Sequence, residues 1–203
     1  MLNTVSDNDL VTSFKNGDQV SFEEITNRYA GKVYNLAKRL VRSQEDAEEV
    51  LQDVFVTLYK KIASFEGRSS FSSWVYRITV NAALMKNRTN KKNDATLLNE
   101  LDVEEKVSYL QQSKDGTDNI SHRELLTLLE KVICYLPEEY RSVYVMRDID
   151  GLTSKEVSEL LKVSVPAVKS RLHKSRFLVR ERLEKLLSYC DDNSAVDTQT
   201  LSN

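Results

Sequence analysis

Between residues 164 and 185 the chain places seven Lys and Arg side chains (Lys169, Arg171, Lys174, Arg176, Arg180, Arg182 and Lys185) against two acids, Glu181 and Glu184. Ser170 and His173 are interleaved with them and can bond to phosphates or base edges, so this segment can recognise nucleic acid. A solvated helix face is the plain alternative for any such run. A second basic run, Lys86, Arg88, Lys91 and Lys92, follows a stretch in which Phe71 and Trp74 precede Arg77 and Asn81. Rings beside cations can hold unpaired bases by stacking while charge holds the backbone; rings at helical spacing are equally the makings of a core. Five acids lie between 45 and 53 (Glu45, Asp46, Glu48, Glu49 and Asp53) with no base among them. A carboxylate metal site is a poor reading of that run, because Glu45, Glu49 and Asp53 follow one helix face and only two His, His122 and His173, occur in the chain. A solvated face or a docking surface for a basic partner fits better. No GxSxG, Walker, HExxH or Rossmann glycine pattern is present, so no catalytic residue, metal or cofactor is expected.

The elements that must position these residues are helical. In 203 residues there are only 5 Gly and 2 Pro, too few for the turns of a β-sandwich, a barrel or a tight parallel α/β fold. Capping boxes mark helix starts at Ser6/Asp9, Ser21/Glu24, Ser43/Asp46, Ser121/Glu124 and Thr153/Glu156. Apolar stripes of helical period follow: Phe22, Ile25, Tyr29, Val33, Leu36 and Leu40, then Ala47, Val50, Leu51, Val54, Phe55, Leu58 and Ile62. After a loop at 64–71 containing Gly67, a helix from about Ser72 to Arg88 is expected to bury Phe71, Trp74, Val75, Ile78, Ala82 and Met85. Arg77, Asn81 and Arg88 share its polar side. Gly31, inside a helix, is expected at a close helix contact.

Residues 91–119 lose periodicity and turn polar, so two domains, 5–90 and 120–187, are expected on either side of a flexible acidic linker. Seven acids against two Lys between 94 and 118 make the linker strongly negative. In the second domain Pro137-Glu-Glu opens a helix and Asp150-Gly151 makes a turn. Thr153 then caps a short helix, Lys162-Val163-Ser164 turns, and Ser164 caps a basic second helix with Pro166 in its first turn. Two short helices, a tight turn and a basic second helix are a helix-turn-helix, which sends its second helix into the major groove. Lys169, Ser170, His173 and Lys174 are the groove-facing candidates; Arg171 and Arg176 fall to phosphate or to the domain's own acids. The tail, 188–203, is expected to be disordered.

Bulk properties agree with a soluble, cytoplasmic protein with no membrane insertion. The longest apolar run, Val132 to Leu136, is far short of a bilayer span, and the N-terminus lacks the features of a signal peptide. Cys134 and Cys190 show no metal or disulfide spacing and read as free thiols. The formal net charge is −2, a poor total for gripping DNA unaided.

Five runs, in two groups, resemble a known family. Asp46-Ala-Glu-Glu-Val-Leu-Gln-Asp-Val-Phe-Val with Phe71-Ser-Ser-Trp-Val-Tyr-Arg-Ile-Thr-Val-Asn is similar to the second domain of bacterial extracytoplasmic-function (group four) sigma factors. Leu136-Pro-Glu-Glu-Tyr-Arg-Ser-Val-Tyr, Leu152-Thr-Ser-Lys-Glu-Val-Ser-Glu-Leu-Leu and Val168-Lys-Ser-Arg-Leu resemble their fourth. The resemblance covers about residues 5–187. It implies a non-enzymatic factor that binds core RNA polymerase and directs promoter-specific initiation, of a stress or envelope regulon. It assigns the helix from Asp46 to Phe55, with Asp46, Glu49, Gln52 and Asp53 along it, to the polymerase clamp. Loop 64–73 with Phe71, Trp74, Arg77, Asn81 and Arg88 goes to the melted minus-ten strand. Lys169, Ser170, Arg171, His173, Lys174 and Arg176 go to the minus-thirty-five element. An anti-sigma factor is implied as partner, and the linker would thread near the RNA exit channel. Weak DNA binding by the isolated chain then follows from its charge, with affinity supplied by attachment to polymerase through both domains. Two departures stand out: Met85 lies four residues after Asn81, where many members carry Asp, and Ser158 and Lys162 replace the small residues common in the helix-turn-helix. The alternative to this reading is a stand-alone helix-turn-helix regulator, which would require a dimer and a two-fold symmetric site.

Overall fold

A computed structural model of the chain describes residues 5–93 and 122–196. The chain divides into two compact units, one on each side of Asp94. Each described unit is helical, and among the described residues there is no strand. The body of the expected linker lies outside the described residues.

The first unit holds α1 (Asp7–Lys15), α2 (Gln19–Leu40), α3 (Gln44–Lys61), a 3-10 turn (Ile62–Ser64) and α4 (Phe71–Asn93). At Ser6 both halves of the capping box form: its hydroxyl accepts from the Asp9 amide at 3.2 Å and the Asp9 carboxylate accepts from the Ser6 amide at 3.3 Å. At Ser43 only one half forms, the Asp46 amide donating to the hydroxyl at 3.1 Å. The start expected at Ser21 is displaced to Asp18, whose carboxylate accepts from the Val20 amide at 3.0 Å and from the Ser21 hydroxyl at 2.6 Å. A carboxylate accepts from both groups at once, so the earlier residue becomes the cap and Ser21 is buried inside α2.

Helices α2, α3 and α4 pack pairwise, and α1 lies on α2. Their core comprises Ile25, Tyr29, Val33, Leu36 and Leu40 of α2, Ala47, Val50, Val54 and Leu58 of α3, and Phe71, Val75, Val80 and Ala83 of α4. The inner face of α4 therefore differs from the expected one: Met85 is 71% exposed, while Thr79 and Asn87 are buried. Two polar residues can occupy that face because each has an acceptor. The Thr79 hydroxyl donates to the Val75 carbonyl at 2.9 Å, and the Asn87 amide donates to the Leu40 carbonyl, left open at the end of α2, at 3.0 Å. Gly31 is exposed with open space around its Cα, so no close helix contact accounts for it.

The second unit holds α5 (His122–Cys134), α6 (Glu138–Tyr144), a π-helical turn (Val145–Ile149), α7 (Ser154–Leu161) and α8 (Val165–Val196). Ser121, expected to cap α5, lies outside the described residues. Leu128, Val132, Leu136 and Val179 form one buried cluster. Arg141 is buried beside it and its guanidinium donates to the Cys134 carbonyl at 2.8 Å, closing the end of α5 with a cation. Cys134 is a reduced thiol; the Cys190 side chain lies outside the described residues. α8 runs on as helix to Val196, past the start of the expected tail, because neither Gly nor Pro follows Pro166 to stop it.

Candidate nucleic-acid interfaces and docking surface

The helix-turn-helix is built from α7, the turn at 162–164 and α8. Thr153 and Glu156 form a complete capping box at its start, with the Glu156 carboxylate 2.7 Å from the Thr153 amide. Lys162 closes α7 in the left-handed region at φ 55°, where an L-residue costs roughly 1 kcal/mol relative to Gly. Two bonds hold the strained turn. The Val163 amide donates to the Ser158 carbonyl at 3.1 Å, and the Ser158 hydroxyl donates to the Val163 carbonyl at 2.7 Å. The serine that departs from the family pattern thus ties the turn that the lysine strains. Ser164 opens α8 by accepting from the Ala167 amide at 3.3 Å.

Val168, Leu172, Ser175 and Val179 face inward from α8, which turns Lys169, Ser170, His173 and Lys174 to solvent together. Arg171 is half-buried and Arg176 is exposed, and each is engaged by an acid of its own unit. Arg171 pairs with Glu139 at 3.2 Å. Arg176 forms a two-pronged pair with Asp148 of the π turn, Nε and Nη2 at 2.8 and 2.7 Å from the two carboxylate oxygens. Those bonds hold the Arg176 pKa above its ordinary value. Of the two fates expected for these arginines, phosphate or the domain's own acids, the structure shows the second, and an arginine held by a carboxylate presents little net charge.

In the first unit, the loop after the 3-10 turn is fixed at both ends. The Lys15 ammonium donates to the Phe65 carbonyl at 2.6 Å, and Ser70 caps α4 by accepting from the Ser73 amide at 3.2 Å. Phe65, Phe71 and Trp74 form one ring cluster with centroids 5.1 to 5.7 Å apart, and Tyr29 meets Phe71 edge-on at 5.4 Å. Phe71 is only 2% exposed, so little of its ring is open to a base, and it packs against the half-buried Trp74. Arg77, Asn81 and Arg88 are exposed on one arc of α4, as the spacing predicts. Met85 falls on the same arc.

The four residues singled out on α3 divide in two. Gln52 and Asp53 are exposed. Asp46 is only 14% exposed and binds Lys86 of α4 at 3.4 Å and the Asn90 amide at 2.9 Å. Glu49 shares the same ammonium. Its hydrogen bond is the main reason that Lys86 titrates above its ordinary value; partial burial opposes this and Asp46 adds to it. Asp46 therefore pins α3 to α4, and little of its carboxylate is presented outward. No sequence signal marks the contact, which spans about forty residues.

The sequence matches two protein-family descriptions: Sigma-70 region 2 over residues 25–93 and Sigma-70, region 4 over residues 126–176. These two matches, on a helical fold that carries a helix-turn-helix, show a sigma-70-type transcription initiation factor. The ECF RNA polymerase sigma factor SigW of Bacillus subtilis (strain 168) is 34% identical over 180 residues, spanning 87% of this chain and 96% of that protein. The ECF RNA polymerase sigma-E factor of Escherichia coli (strain K12) is 29% identical over 191 residues, 92% of this chain and 99% of that one. Two solved structures share the fold at a TM-score of 0.57. One is CnrH in complex with the cytosolic domain of CnrY, 21% identical and covering 88% of this chain and 97% of that one. The other is the sigma factor RpoE with the anti-sigma factor NepR from Bartonella quintana, 17% identical and covering 80% and 96%. The chain belongs to the ECF RNA polymerase sigma factors. No helix among the described residues is long and apolar enough to cross a membrane.

Proposed function

We propose that the two units divide promoter recognition between them, with residues 91–119 as the linker. The first docks on the clamp of core RNA polymerase through Glu49, Gln52 and Asp53 and holds the opened minus-ten strand on Trp74, Arg77, Asn81 and Arg88. The second reads the minus-thirty-five element through Lys169, Ser170, His173 and Lys174. The observation that carries this reading is a sorting of charge: residues 71–93 and 165–180 contain no Asp or Glu, in a chain with 31 acids and a net charge of −2. Each acid-free stretch is a helix with an exposed polar arc, as binding a polyanion requires. Neither helix is basic enough to make the isolated protein a strong DNA binder, so attachment to polymerase supplies the remaining affinity.

The factor performs no bond chemistry of its own and acts in the cytoplasm, where core polymerase and promoter DNA are found. An anti-sigma factor is its expected inhibitor, supported by the complex of RpoE with NepR. A stress or envelope regulon is the corresponding output.

Reconstitution with core polymerase tests the reading. Purified protein should yield new transcripts from a subset of native upstream regions, and Lys169→Ala should weaken those that depend on the upstream element while sparing core binding. Absence of any promoter-directed transcript, with a palindromic footprint left by the protein alone, would instead identify a stand-alone regulator.

A further inference from the structure

The outward arc of α8 carries one large apolar side chain. Phe177 is 53% exposed, and with about 100° between successive residues it points between His173 and Lys174. The Lys174 ammonium sits over its ring, 4.9 Å from the centroid. Nothing in the unit's core requires this ring, since the buried side of the same helix is already filled by Val168, Leu172, Ser175 and Val179. Its surroundings point to the occupant. From Val165 to Arg180 there is no acid, so a ring bordered by cations complements a polyanion that also offers apolar groups in its groove. Duplex DNA does so through the thymine C5-methyl, an established partner for Phe in the major groove.

We infer that Phe177 is a specificity-determining residue of the upstream element. Its ring packs on a thymine methyl, and its π face holds the Lys174 ammonium toward the adjoining phosphate. Seven residues separate Phe177 from Ser170, about 10.5 Å along the helix. The contact therefore lies within about three base-pair steps of the bases that Ser170 meets. This inference rests on the proposed reading of the second unit as the minus-thirty-five reader.

The test uses holoenzyme assembled with the full chain and promoters in which each thymine of the upstream element is replaced in turn by deoxyuridine, which removes only the methyl. For the unsubstituted protein, one replacement should lower promoter binding about fourfold, the value of one buried methyl-sized group. Phe177→Ala should bind the all-thymine promoter less tightly and lose nothing further at that position; Phe177→Leu should keep part of the discrimination. In a Lys174→Ala background the loss from Phe177→Ala should shrink, as a shared contact requires. The same uracil profile for Phe177→Ala and the unsubstituted protein would overturn the inference. So would reduced transcription by Phe177→Ala with an unchanged profile, which would give the ring to a protein partner. Lys169→Ala separates the two levels: if it too leaves upstream-element use intact, the second unit does not read the element and the inference falls with that reading. If Lys169→Ala is impaired and Phe177→Ala is not, the inference alone fails.

Discussion

The pair Arg176–Asp148 decides how many cations α8 offers to DNA. Both carboxylate oxygens are engaged, and the side chains are 59% and 21% exposed. A single Arg176→Gln change would leave the Asp148 carboxylate unmatched and lower DNA affinity by repulsion even if Arg176 touches no phosphate. The informative perturbation is therefore the charge-neutral double change Asp148→Asn with Arg176→Gln. Each cation spent on a phosphate contributes about 0.9 to the slope of log affinity against log salt. Lys169→Gln should remove that contribution, so its defect relative to the unsubstituted protein should narrow about 3.5-fold between 50 and 200 mM salt. The double change should leave the slope as it is and cost at most about 1 kcal/mol of stability, as expected for a solvent-accessible pair. Anisotropy of a labelled promoter fragment with holoenzyme, across a salt series, measures both. A double variant whose slope falls as far as that of Lys169→Gln would show that Arg176 does neutralise a phosphate despite its pairing with Asp148.

Three further outcomes are expected. Thr153→Ala removes the hydroxyl half of the capping box and should lower the stability of the second unit by about 1 kcal/mol, read as a shift in its urea midpoint. Burial first, and the hydrogen bond to Asp7 second, hold the Tyr29 phenol above its ordinary value of 10.0. The folded state therefore favours the neutral ring, and the stability it contributes is complete below pH 10 and lost as the pH rises toward the folded value. Tyr29→Phe should reduce that alkaline loss in urea midpoints taken on either side of pH 10. Asp53→Lys should slow holoenzyme assembly, most of all at low salt, because the residue is exposed and acts through steering; unaltered assembly would remove Asp53 from the docking surface.

How far the sequence sufficed depends on the range of the interactions concerned. Local ones were legible. The boxes at Ser6 and Thr153, the cap at Ser164 and the arc of Arg77, Asn81 and Arg88 each depend on residues within a turn or two, and each is found where the spacing places it. Competition within one turn already exceeded the pattern: Asp18 and Ser21 both satisfy a capping rule, and only the folded backbone shows which accepts the amide. Long-range partners are not identified by the sequence, even where it offers the domain's own acids to Arg171 and Arg176. Asp148 and Glu139 hold arginines from α8, and Lys86 holds Asp46 and Glu49 from α3. In each case charge predicts an attraction, and distance in sequence hides with whom. The inner face of α4 was misplaced for a related reason: Asn87 is buried because a carbonyl at the end of another helix needs a donor, which no apolar periodicity records.

The shared ammonium of Lys86 has a consequence for the history of the family. A change at Glu49 alters a surface that could meet polymerase and, through the same contact, the environment of a cation on α4. Asp46, Glu49, Lys86 and Asn90 thus behave as one inherited character spread over two helices, and substitutions among relatives should appear in compensating sets rather than singly. Gln52 and Asp53 are exposed and lie outside that set, so a substitution at either needs no compensating change on α4.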